Sequence, residues 1–333
     1  MSKVTIEDIS RHTGLSRGTV SRALNDRPDI SPKTKQRVLE ACRQLNYAPS
    51  HAARSLATGR RYAVAVVVAD LRCAFAAGYL RGVLEAARPQ HCAVQVSELG
   101  GDAERALDHL RAMAAERVDG VLMASALPAD FVRGVVESLG ERPCVNVAIA
   151  DDGRGDVLGP DYQEAGRLAG RHVLPAAAPN VLYVNESGSP GAGLCHAGFA
   201  EICGAHGVDP AGVTVTLPPA GTGGDRLAEV RSRLGGVRAI VASHDLLAVE
   251  LLALCLEAGR VPGKDVGLMG IGNEPVGTRC RPAITTVDVA AEETGRRAMT
   301  LLIQRVTKER LDAPQQIWVA PTLVRRQSTA LFG

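Results

Sequence analysis

Val20 and Leu24 stand at the i, i+4 spacing of a buried helix face, which turns Arg17, Gly18, Ser21 and Arg22 outward on the same helix. Guanidinium groups beside short polar residues at a helix start suit the major groove of duplex DNA, where each base pair shows its own donor and acceptor pattern. Arg17 and Arg22 are the candidate readers of guanine edges or holders of phosphate. A solvated polar face on an ordinary three-helix bundle would carry the same pattern. Other chemistries lack their residues. The eight cysteines are scattered without a C-x-x-C pair, and the eight histidines show no ligand spacing. No H-E-x-x-H helix occurs, and Gly14-Leu15-Ser16-Arg17-Gly18 has the G-x-S-x-G spacing without the preceding strand that a nucleophile elbow needs. The glycine-rich stretches at 188–193 and 221–224 lack the spacing of a dinucleotide or phosphate loop and read as turns. The chain is therefore expected to bind rather than to turn over a substrate, with no catalytic residue, metal or cofactor.

The neighbouring residues supply the elements that hold this face. Thr5 to Asp8 sets a hydroxyl at a helix start and a carboxylate three residues on, the reciprocal capping pattern, and Ile6 and Ile9 give that helix an apolar side. Gly14 suits a tight turn, Ser16 can cap a second helix, and residues 25–29 read as a loop. Ser31-Pro32 opens a third helix with Val38, Leu39 and Leu45 as its apolar stripe. Three short helices with a tight turn between the first two make a helix-turn-helix. Residues 1–61 hold 12 Lys and Arg against 5 Asp and Glu, whereas the remainder holds 26 against 31. A polyanion partner is expected for the first part only.

Val4 to Ile9, Gly14-Leu15-Ser16, Thr19 to Asn25, Leu45 to Pro49 and Ala53 to Leu56 closely resemble the amino-terminal signature of the lac repressor (LacI/GalR) family of transcriptional regulators. The resemblance implies DNA contacts by Thr5, Ser16, Arg17, Gly18, Thr19, Ser21, Arg22, Asn25 and Tyr47. It also implies a hinge helix over Ser50 to about Thr58, touching DNA through Ser50, Ala53, Arg54 and Leu56. Pro49 stops the preceding helix, Ser50 can cap a new one and Gly59 ends it. At about nine residues such a helix is too short to stand alone in water, so it should fold only on DNA beside a partner's copy. Leu56 is implied to wedge between base pairs in the minor groove, the unstacking offset by the contacts of a bent duplex. Packing on the next domain is the alternative for Leu56.

From Tyr62 onward short apolar runs alternate with helical patterns. Candidate strands are 63–69, 93–97, 120–123, 144–147, 181–184, 239–241 and 266–270, and candidate helices are 79–87, 103–115, 163–173, 194–205, 226–234 and 248–258. That alternation means parallel sheets in an α/β layer, and about eleven to twelve strands are enough for two similar subdomains. The family resemblance continues through Asp70, Phe75, Val118 to Leu122, Asp161, Ala197-Gly198-Phe199, Asp245, Pro282, Thr285 to Val287 and Arg325 to Ser328. It implies a two-lobed fold like that of periplasmic sugar-binding proteins, with crossings near 159–162, 287–291 and 318–322 and a ligand in the cleft at the strand ends.

At the effector site the sequence departs from that pattern. An arginine usually precedes Ala-Gly-Phe, where this chain has Leu194-Cys195-His196; an aspartate usually follows the Gly-aromatic pair, where it has Gly272. The usual Asn-Asp pair is His244-Asp245. Losing a bidentate arginine and a carboxylate removes the strongest directional ligands for vicinal hydroxyls, so an atypical sugar derivative or a non-sugar is expected. Candidate cleft residues are Arg72, Phe75, Asn146, Tyr162, His196, His244, Asp245 and Asn273. Phe75 and Tyr162 would equally suit a core, His196 and His244 satisfied loop positions, and Asp245 a cap for a helix starting near Leu246.

The expected class is α/β: an all-α helix-turn-helix over 1–49, a hinge and linker over 50–61, and an effector-binding and dimerisation domain over 62–333. Lobe 1 would comprise about 62–160 and 289–319, and lobe 2 about 161–288 and 320–330. The longest apolar run, Ala63 to Ala69, is far short of a membrane span, and residues 1–20 contain no signal-like run, so a cytoplasmic location is expected. No leucine heptads follow Arg326, which points to a homodimer without a tetramer-forming tail. The function these features imply is a sequence-specific DNA-binding regulator, a repressor in most of the family, reading a pseudo-palindromic operator under a small-molecule effector. A small-molecule receptor without a transcriptional role is the alternative, and an enzyme fused to a DNA-binding module is a third reading with no nucleophile-base pair to support it.

Overall fold

The computed structural model describes residues 4–24, 29–47, 63–100, 108, 118–124, 129–140, 142–147, 155–189, 191–221 and 224–332. The chain divides into two compact units, residues 1–61 and 62–333.

In the small unit, α1 (Ile6–Thr13), α2 (Arg17–Leu24) and α3 (Pro32–Gln44) enclose one core of Ile9, Val20, Ala23, Val38, Ala41 and Cys42. The caps explain where each helix begins and ends. The Asp8 carboxylate accepts both the Thr5 amide (2.9 Å) and the Thr5 hydroxyl (2.8 Å), which holds its pKa below the usual carboxylate value. Gly14 closes α1 at φ +65°, in the left-handed region that favours glycine. Ser31 Oγ accepts the Thr34 amide at 3.2 Å, with Pro32 in the first turn. The expected stripe of α3 needs one correction: Leu39 is 42% exposed. Val38 takes the inward direction, and Ala41, Cys42 and Leu45 continue it three, four and seven residues on, leaving Leu39 a further 100° around the helix.

The large unit holds two six-stranded sheets. The first runs β11-β5-β4-β3-β1-β2, from β1 (Ala63–Val68), β2 (Ala93–Glu98), β3 (Gly120–Ala124), β4 (Cys144–Val147), β5 (Asp156–Pro160) and β11 (Gln316–Val319). The second runs β12-β10-β9-β8-β6-β7, from β6 (Val181–Glu186), β7 (Thr214–Leu217), β8 (Ala239–Ala242), β9 (Gly267–Ile271), β10 (Thr285–Asp288) and β12 (Thr322–Val324). All pairings are parallel except β10 with β12. Both faces of a parallel sheet are covered, so its central strands read as near-continuous apolar runs. In β1, Val64, Val66 and Val68 enter one core with Tyr79 and Met299, while Ala65 and Val67 enter another with Phe131 and Val135.

Three segments pass between the sheets: β5 leads into the helix Tyr162–Ala177, β10 into the helix Ala291–Thr307, and β11 directly into β12. Each lobe is clamped by a pair of helices whose backbones nearly touch. A Cβ on Gly166 would lie 1.8 Å from Cys195 O, and one on Gly295 would lie 2.0 Å from Tyr79 O. The helices expected at 79–87 and 248–258 begin earlier, as Ala74–Ala87 and Asp245–Glu257. The helix expected at 103–115 lies outside the described residues apart from residue 108, which is helical. Among the described residues no helix is long and apolar enough to cross a membrane.

Candidate nucleic-acid interface and ligand cleft

The outward face of α2 is set by what its inward face buries. Val20 and Ala23 are sealed in the core, and Ser16 Oγ caps the helix through the Thr19 amide at 3.1 Å. Arg17, Gly18 and Arg22 are exposed, and Thr19 and Ser21 are half-buried. Gly18 leaves open space, since a Cβ there would meet only Ser16 Oγ at 3.8 Å. Arg17 pairs with Glu7 at 3.5 Å and Arg22 with Asp29 at 3.3 Å, both in solvent. Exposed pairs of this kind are worth about 0–1 kcal/mol, so a phosphate or guanine edge can displace them. Thr5 stands exposed at the start of α1. Tyr47 packs on the three-helix core, its amide donating to Cys42 O at 2.8 Å. The positions expected at the hinge, Ser50, Ala53, Arg54 and Leu56, and the loop residue Asn25 lie outside the described residues.

In the large unit a cleft of about 490 Å³, its solvent-facing mouth included, opens beside the carboxyl ends of strands of both sheets. Ser243 and His244 follow β8, Gly272 and Glu274 follow β9, and Val289 follows β10. Cys73 and Phe75 enter from the start of α4 (Ala74–Ala87), and Tyr162 and Cys195 from the glycine-clamped helices of the second lobe. Tyr162 is held by Gly191, whose φ of +72° and lack of Cβ let the ring approach; a Cβ there would lie 2.5 Å from it. Phe75 stacks on Tyr79 with centroids 6.0 Å apart.

Three of the eight expected cleft residues line it: Phe75, Tyr162 and His244. The other five do not. Arg72 turns out to solvent and folds back on Asp70, with Nη2 to Oδ2 at 2.8 Å. Asn146 is buried within β4. His196 faces β7, donating or accepting at Thr214 Oγ1 over 2.9 Å, with its ring against Tyr183; the preceding residue, Cys195, takes the cleft direction instead. Asn273 spans Asp288 and Arg326. Asp245 is fully buried in the first turn of its helix, and the cap is His244, whose Nδ1 accepts the Leu247 amide at 3.1 Å. Sequence reasoning missed Cys73, Ser189, Cys195, Ser243 and Glu274; most lie within a few residues of a strand end, the one signal that would have found them.

The floor of the cleft is electrostatically uneven. Asp245 Oδ2 accepts the Glu274 amide at 2.6 Å, while Oδ1 has no hydrogen-bond partner. Burial pushes the Asp245 carboxyl up to about 6. Burial, with repulsion from Asp245, pushes Glu274 up to about 7. Burial lowers the His244 pKa against the pull of Glu186, whose Oε2 lies 3.6 Å from Nε2. Arg226 is spent on Glu186 (2.8 Å) and Glu250 (2.7 Å). These groups can hold a small polar ligand by hydrogen bonds and ring faces, and none is paired with a nucleophile.

Comparison with known proteins agrees with both halves. The profile described as "Bacterial regulatory proteins, lacI family" matches residues 5–50, and that described as "Periplasmic binding protein-like domain" matches residues 178–329. The HTH-type transcriptional repressor PurR of Erwinia tasmaniensis is 26% identical over 98% of this chain and 97% of its own. The lac repressor dimer bound to operator and the anti-inducer ONPF superposes with a TM-score of 0.77 at 20% identity, covering 98% of this chain and 99% of that one. The complex of the transcriptional regulator CelR with cellobiose gives a TM-score of 0.69 at 24% identity, covering 98% and 100%. With the capped second helix, the double sheet and similarity to a transcriptional repressor along nearly the whole chain, the protein is similar to the lacI family of bacterial regulatory proteins, whose profile its residues 5–50 match.

Proposed function

We propose that this protein is a cytoplasmic transcriptional repressor that binds a pseudo-palindromic operator as a homodimer and is controlled by a small molecule held in the cleft of its large unit. The observation that carries the reading is the exposed face of α2, where Arg17, Gly18, Ser21 and Arg22 stand around a helix start fixed by the Ser16 cap and a sealed core. Operator binding by the lac repressor dimer and cellobiose binding by CelR support the two halves of the proposal. In this reading Thr5, Ser16, Thr19, Asn25 and Tyr47 join that face at the DNA. Ser50, Ala53, Arg54 and Leu56 form a hinge in the minor groove, where Leu56 unstacks a base step. Ligand in the cleft biases the two lobes, and the lobes bias the hinge. A coupling of about 1–3 kcal/mol shifts DNA affinity roughly 5- to 150-fold.

Selection of duplexes from a random library by the purified chain tests the proposal. Enrichment of one two-fold symmetric sequence, lost when residues 1–61 are deleted, is the expected result. Recovery of unrelated duplexes would refute it and favour a ligand receptor without a transcriptional role.

A further inference from the structure

The cleft carries an acid without a counter-ion. Glu274 lines it half-buried, and among the described residues its carboxylate makes no hydrogen bond or ion pair. Of the guanidinium groups in this part of the chain, Arg226 is committed to Glu186 and Glu250 and Arg326 to Asn273 and Ile284 O, while Arg72 lies in solvent beside Asp70 and does not line the cleft. No arginine or lysine is among the described residues lining the cleft. Glu274 also occupies a telling place. A Cβ on Gly272 would lie 3.5 Å from Glu274 Cγ and 3.6 Å from Oε1. The Glu274 side chain thus lies in van der Waals reach of where a side chain at residue 272 would begin, which places its carboxylate on the floor of the cleft beside the bare Gly272 backbone. Asp245, fully buried, stands behind it on the Glu274 amide with Oδ1 unpartnered.

A second observation points the same way. The rings of Phe75 and Tyr162 line the same cleft. Aromatic faces beside an unpaired carboxylate attract a cation through both the ring quadrupole and the full charge. A phosphate or carboxylate ligand would meet Glu274 with no described cation to offset the repulsion.

We propose that the cleft takes a small organic cation, a protonated amine with Glu274 as its counter-ion and the rings of Phe75 and Tyr162 as its walls. This rests on the reading of the cleft as the effector site and narrows that reading to a charge class. Amine binding requires the ionised form of Glu274, which in the empty cleft is reached only near pH 7. The ligand therefore displaces a proton to solvent from the fraction of molecules that hold one.

Two matched sets of probes test this on the full chain by thermal shift and titration calorimetry: glucosamine, glucose and gluconate, and tyramine, 4-ethylphenol and 4-hydroxyphenylacetate. The expected result is stabilisation by an amine that its neutral and acidic counterparts do not match. With Glu274 titrating at about 7, affinity for tyramine, whose amine stays protonated across this range, should rise roughly ten-fold between pH 6 and pH 8. Glu274→Gln should abolish that pH dependence and weaken the amine at least about ten-fold, while still binding the selected operator, which shows that it is folded. A neutral or acidic probe that binds in place of the amine overturns the charge assignment and leaves the cleft as an effector site. No shift with any of the six probes overturns the assignment as well, and operator selection judges the regulatory reading separately.

Discussion

The arginines of α2 separate positional packing from available chemistry. Arg22 is half-exposed and held by a weak pair with Asp29 and by Gly18 O at 3.3 Å, so losing it disturbs no core. Arg22→Ala should cost about 1–3 kcal/mol of operator affinity at particular base pairs, measured by anisotropy against single-base variants of the selected site. A loss spread evenly over all sequences would make Arg22 a phosphate contact only. Glu274 in the cleft and Asp245 buried behind it make a pH prediction. Asp245 and Glu274 sit above their ordinary values, so the folded chain keeps protons that the unfolded chain releases. Their contribution is fully present below about pH 4 and is lost as pH rises through about 6 and 7. Glu274→Gln should therefore melt higher than the unmodified chain at pH 8 and lose that advantage by pH 5. A constant gap across that range in differential scanning calorimetry would contradict the burial argument. At this scale the legibility of the sequence is uneven. Tyr162, Phe75 and His244 were visible as aromatic or polar groups next to strand ends, but His196 was not separable from Cys195, because a one-residue step on a helix turns the side chain by 100°.

Elements were more legible, since their signals are local. Ser16, Ser31 and Gly14 mark boundaries that follow from orphan amides and from φ, without reference to the rest of the chain. Ser16→Ala should destabilise the small unit by about 1 kcal/mol, seen as faster amide exchange in α2 while exchange in β1 and β9 is unchanged. Short edge strands were harder: β7, β11 and β12 have three or four residues and mixed exposure. Their patterns are too brief to show a period of two, and β12 pairs only because β10 presents an edge. The glycine clamps were also hidden, because a glycine in a helix reads as a weak position until the neighbouring backbone is in place. Gly166→Ala would drive a methyl to within 1.8 Å of Cys195 O. Such overpacking should cost about 1–3 kcal/mol or more, lowering the melting temperature of the large unit; an unchanged melt would show that the helices part freely.

Over the whole molecule, charge and architecture divide the labour. The surplus of bases lies in the first 61 residues, while the double sheet that follows is mildly acidic. That asymmetry was readable from composition, as was the α/β class from alternating runs. The content of the cleft was not, because its lining is gathered from segments between residues 73 and 289 that meet only after both sheets form. The basic head predicts an electrostatic footprint on DNA that the acidic body does not share. The most direct test is the affinity of the full chain for its selected operator and for a scrambled duplex across a salt series. The account predicts operator binding at least about a thousand-fold tighter than scrambled, with log affinity falling steeply and linearly in log salt, by about 0.9 for each phosphate contact. Equal affinity for the two duplexes, or a flat salt dependence, would contradict it.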